Sequence, residues 1–125
     1  MQNLAHQAYG TVQHRTASDK EIEQALMAQI TSELEEVSKA ESPTKTKWFE
    51  AISRNLQMWT IFTADLLNPN NQLPQELRSQ ILFLGEFVRQ QSRALFAAGE
   101  GDLSELIAIN QILLGKNMTQ LSEVA

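Results

Sequence analysis

The chain has 125 residues, 42% of them hydrophobic, enough for one domain with a single modest core. A formal net charge of -5, with ten basic residues scattered along the chain, disfavours a nucleic-acid surface, because phosphate binding needs clustered Lys and Arg. The absence of Cys removes disulfides, thiolate metal sites and Cys nucleophiles together.

Residues 1–17 are polar and small and lack a sustained period, so they read as a flexible N-terminal arm ahead of a helical-bundle domain over 18–125. The first ten residues have neither a basic n-region nor an apolar h-region, and no apolar run approaches the roughly 20 residues needed to span a bilayer. These features predict a cytoplasmic protein with no membrane partner.

Ser18, with Glu21 three positions on, forms a capping box that opens a first helix. Ile22, Leu26, Ile30, Leu34 and Val37 fall on one side of it, with Glu23, Glu33, Glu35 and Glu36 mostly elsewhere. Ser42-Pro43 predicts the start of a second helix, Ser as N-cap and Pro at the first helical position, running to Leu67. Its broad face holds Trp48, Ile52, Leu56, Trp59, Phe62 and Leu66, while Met58 and Ile61 lie off that face.

Asn68-Pro69 stops the second helix, and the third runs from Pro74 to Ala98 before Gly99. Leu77, Ile81, Leu84, Val88 and Leu95 form its inner stripe, with Phe83 and Phe87, an i,i+4 pair, about a quarter turn away. Asp102 and Glu105 repeat the capping pattern before a fourth helix that Gly115 closes. Leu103, Leu106, Ile107, Leu113 and Leu114 make its main stripe, with Ile109 and Ile112 on the far side. Residues 116–125 have weak helical character. No strand alternation competes, so the expected fold is all-α, a compact bundle of about four helices in which sequential neighbours are antiparallel.

Catalytic groups are few. The carboxylates fall on solvated faces, and His6 and His14 sit in the arm without metal-ligand spacing, so neither an enzyme nor a metal or cofactor site is expected. Glu50 with Arg54, and Glu86 with Arg89, have the spacing of surface ion pairs. Asp65 stands in the last turn of a helix, against the macrodipole, where either Arg78 across the loop or a partner would offset it. Gly85, opposite large neighbours, permits a close helix approach, and Asn110 within an apolar stripe must find buried partners. Met58, Ile61, Phe83 and Phe87 remain open between two readings. Either the fourth helix or the arm covers them, or they wall a groove for a partner helix.

Ala8-Tyr9-Gly10, Thr16-Ala17-Ser18, residues 56–66 around Trp59, residues 68–78 (NPNNQLPQELR), Gly85-Glu86-Phe87-Val88 and Leu106-Ile107-Ala108-Ile109-Asn110 together resemble the FlaF family of flagellar biosynthesis regulators. The likeness covers almost the whole chain, and Asp19 departs from it where Pro is expected. The resemblance implies a small cytoplasmic protein needed for flagellin production, secretion and filament assembly, with no catalytic residue and no cofactor. Flagellin is the implied partner, with the translational regulator FlbT alongside or opposed. The expectation that follows is an export chaperone or adaptor holding a flagellin helix on Met58, Ile61, Phe83 and Phe87. Leu4 and Tyr9 of the arm would cover that groove until flagellin displaces them. The alternative is a regulator of flagellin mRNA translation acting through a partner such as FlbT. Self-association through the same apolar surface stays open.

Overall fold

In the computed structural model, which describes residues 17–115, the apolar periodicity resolves into four α-helices. They are α1 (Ala17–Lys39), α2 (Lys45–Leu67), α3 (Gln75–Ala98) and α4 (Ser104–Gly115). α2 packs against α1 on one side and α3 on the other, and α4 packs against α1 and touches α3 only lightly. α1 and α3 therefore stand diagonally across the bundle, as do α2 and α4.

The helix ends follow local chemistry, with shifts from the sequence expectation. α2 opens at Thr44, not Ser42: the Thr44 hydroxyl accepts from Lys47 N–H at 3.2 Å, and its carbonyl takes the first helical bond from Trp48. Pro43 precedes the cap. At the other end Asn68 and Asn71 brace the loop from within. Asn68 Oδ1 accepts from Asn70 N–H, Asn71 Oδ1 from Leu73 N–H, and Asn71 Nδ2 donates to the Asp65 carbonyl and carboxylate. Asp65 is thus engaged by Asn71 from within the loop. α3 closes at Gly99, whose φ of 74° is a left-handed cap that costs glycine little. Asp102 lies two residues before α4 and ties down Ser104 through its N–H and hydroxyl, each at 2.9 Å.

The core runs through Ile30, Leu34, Ile52, Trp59, Leu66, Ile81, Val88, Leu103 and Leu106, all almost fully buried. α1 differs in phase from the expected stripe near its start. The buried line of Ile30 and Leu34 passes back through Met27 to Glu23, which is half-buried, and leaves Ile22 47% exposed. On α4, Ile109 is buried, not turned to the far side.

Two close fits fix the packing. A Cβ at Gly85 would lie 2.5 Å from Thr63 Cγ2 and 3.5 Å from the Trp59 ring, so α3 reaches α2 only because that position has no side chain. Asn110 bridges three helices: it accepts from Trp59 Nε1 at 2.9 Å and donates from Nδ2 to Asn55 Oδ1 at 2.8 Å and Thr31 Oγ1 at 3.0 Å. Thr31 in turn donates to the Met27 carbonyl. All four side chains are buried.

Candidate partner-binding face

Phe83 and Phe87 occupy the outward side of α3. Each is two residues from Gly85, about 200° around the helix, and Gly85 is the point where α3 meets α2. The two rings therefore turn away from α2. Phe83 is 74% exposed and Phe87 36%. One turn apart, they form a short apolar ridge on a helix that already has a complete inner row.

The ridge is flanked by charge. Arg89 donates to both Glu86 oxygens, and Gln90 Nε2 adds a bond at 3.1 Å. The hydrogen bond from Arg89, then that from Gln90, holds the Glu86 carboxyl down to about 2. This is the i,i+3 pair its spacing predicts. The other expected pair is different: Arg54 sits 2.8 Å from Glu33 on α1, not on Glu50. That contact is an ion pair without hydrogen-bond alignment, since Arg54 Nε has no hydrogen-bond partner.

The Arg54–Glu33 pair shows which side of α2 faces α1, and it separates the expected site residues. Met58 and Ile61 lie one and two turns on from Arg54, along the row that faces α1. Met58 is 6% exposed and part of the core, and Ile61 is half-buried beside it. Met58 and Ile61 thus do not share a wall with Phe83 and Phe87, which lie on the far side of α3. Leu4 and Tyr9 lie outside the described residues, as do His6 and His14.

Sequence periodicity placed the two phenylalanines off the inner stripe but could not tell which flank each apolar surplus would occupy. Leu67 is 69% exposed at the end of α2, and its place just before the helix stop is the one sequence signal for it. Phe49 and Phe96 stack with ring centroids 5.9 Å apart and tie the start of α2 to the end of α3.

Among the described residues, no three His, Cys, Asp or Glu side chains come together as a metal site. No described helix is long and apolar enough to cross a membrane. One carboxyl is displaced. Burial, reinforced by the negative charge of Asp65, pushes Glu23 up from 4.5 to about 7.

Residues 5–115 match the family model described as flagellar protein FlaF. No curated protein and no solved structure matches the chain.

Proposed function

The chain belongs to the FlaF family of flagellar proteins, and we propose on that premise that it is a flagellar assembly factor that binds flagellin as an export chaperone or adaptor. The observation that carries this reading is the ridge of Phe83 and Phe87, solvent-facing on a helix whose inner row is already filled. Apolar surface of this kind, bordered by the Glu86–Arg89 pair, suits an amphipathic helix laid across it. Flagellin termini are long amphipathic segments that pack as helices only in the filament. Outside it they expose aggregating surface, and an apolar ridge on a soluble carrier would shield them.

The binding residues in this reading are Phe83 and Phe87. Met58 supports the fold beneath, and Ile61 belongs to the α1 side. Regulation of flagellin translation follows indirectly, because a protein that sequesters free flagellin changes what a regulator such as FlbT can sense. The net charge of -5 disfavours direct contact with mRNA.

The test is co-purification and titration with the flagellin of the same cell, using the chain with Phe83→Ser and Phe87→Ser. Binding should fall at least tenfold while the helical circular-dichroism signal is kept. Undiminished binding removes this face from the reading, and no binding by the unaltered chain removes flagellin.

A further inference from the structure

The outward side of α3 carries a longer pattern than its two phenylalanines. Phe83, Phe87, Gln90, Ala94 and Ala97 recur at alternating steps of four and three, the spacing of a coiled-coil seam, and all five are exposed. The row is graded in size, with two large rings at its start, an amide in its middle and two methyl groups at its end. It is graded in charge too. Glu86 borders the phenylalanines, and Arg93, two turns on along the same flank, borders the alanines. The hydrogen bonds from Arg89 and Gln90 come first in holding the Glu86 carboxyl down, and the charge of Arg93 adds to them.

Such a row fits its own reverse. Turned end for end about Gln90, it sets Phe83 against Ala97, Phe87 against Ala94 and Glu86 against Arg93, each contact occurring twice. We propose that two copies of the chain pair through α3 in this antiparallel register, with Gln90 meeting Gln90 of the second copy on the two-fold axis. The rings fill the space over the methyl groups, and the two Glu86–Arg93 pairs flank the seam. A parallel pair would crowd four rings at one end, leave methyl groups facing methyl groups at the other and separate Glu86 from Arg93. Size and charge therefore both select the antiparallel arrangement.

The contact is small, about 21 Å of helix from Phe83 to Ala97. That places it among transient interfaces, which bury less than about 1,200 Å² in total. Pairing of this strength covers the ridge when no partner is bound and yields to one that binds it. In this respect the inference rests on the proposed function: the second copy and flagellin compete for Phe83 and Phe87, so pairing regulates access to the same face. The pairing itself rests on the exposed row alone.

The chain has no Cys, so single engineered cysteines report which residues meet. In the full-length protein without flagellin, Gln90→Cys should form a disulfide between chains under mild oxidation at least tenfold faster than Ser79→Cys. Ser79 is exposed on the same side of α3, and antiparallel pairing holds it about 33 Å from its counterpart. Equal rates overturn the proposal, since a parallel pair or random collision would treat the two positions alike. Independently, sedimentation equilibrium at low salt measures the dimer dissociation constant. Arg93→Glu should raise it at least tenfold by setting a second carboxylate against Glu86, and adding Glu86→Arg should return it to within about threefold of the unaltered chain. A chain that stays monomeric at every concentration, or a double variant no better than the single one, would also overturn the pairing. These readouts are taken without flagellin, so their failure leaves the proposed function standing. A chain that pairs in this way and does not bind flagellin would remove that function and not the pairing.

Discussion

Trp59 Nε1 donates to Asn110 Oδ1 at 2.9 Å, joining α2 to α4 across a diagonal of the bundle where the two helices have no close backbone approach. The bond does more than satisfy an indole. With Thr31 and Asn55 also held by Asn110, one side chain sets the height of α4 against both α1 and α2. An apolar residue there would let α4 slide by a turn at little cost, since its apolar residues surround it on most sides.

Asn110→Ala should therefore be among the more damaging single changes in the chain. It strands the Trp59 N–H and the Asn55 carbonyl in the core and leaves a cavity, for a loss of about 3 kcal/mol. Asn55→Ala should cost less, because Asn55 Nδ2 already lacks a partner and only its oxygen is bonded. Urea unfolding followed by Trp fluorescence measures both, and equal losses would show that Asn110 holds no special place.

Gly85→Ala sets two effects against each other. Alanine in a helix interior gains about 1 kcal/mol over glycine, but its Cβ would meet Thr63 Cγ2 at 2.5 Å. Thr63 cannot turn the methyl aside without losing its hydroxyl bonds to the carbonyls of Trp59 and Thr60. The clash should win, with a net loss of about 1–2 kcal/mol. Thr63→Ser removes the methyl and keeps the hydroxyl, so adding it to Gly85→Ala should recover most of that loss in a thermal melt. Failure to recover would place the clash elsewhere.

Asn110 and Gly85 were legible as exceptions within their helices, a lone amide and a lone glycine in apolar rows, and the structure supplies what each meets. The helix stops at Asn68-Pro69 and Gly99 were legible for the same reason: they are local chemistry. What periodicity left open was rotation. On α1, Ile22 and Glu23 differ by 100°, and nothing in the sequence says which of the two turns inward; the packing turns Glu23 in beside Asp65, whose negative charge adds to burial in disfavouring its ionised form. On α2, apolar residues nearly circle the helix, so Met58 could equally have faced solvent or a neighbour. The Arg54–Glu33 contact decides that it faces α1, and no local pattern encodes a contact between residues 21 positions apart in the chain.

Glu23 makes stability depend on pH in a direction opposite to most surface acids. Its carboxyl is raised in the fold to about 7, so the charged form is disfavoured there relative to the unfolded chain. The fold is free of this penalty below about 4.5, acquires it as pH rises between 4.5 and 7, and carries all of it above 7. Glu23→Gln should therefore raise stability at pH 8 and change little at pH 4.5. For a half-exposed group screened by solvent, the difference is on the order of 1 kcal/mol. Chemical denaturation of both proteins at the two pH values gives the answer, and an equal effect at both would place the cause outside ionisation.

Polar substitution separates binding surface from core among the four apolar residues that sequence grouped together. Phe83→Ser removes a ring that is 74% exposed, so little burial is lost and the melting temperature should move by only about 1–2 °C. Met58→Ser places a hydroxyl in a position 6% exposed and removes most of a buried side chain, for a loss of about 3 kcal/mol, or more than 10 °C in a domain this size. Flagellin affinity should show the reverse order when compared below both melting transitions. Phe83→Ser should weaken it at least tenfold, and Met58→Ser should leave it within about threefold for the fraction that remains folded. If Met58→Ser, still folded, lost affinity as steeply as Phe83→Ser, the partner would have to reach the α1 side of α2, and the ridge on α3 would not be the whole site.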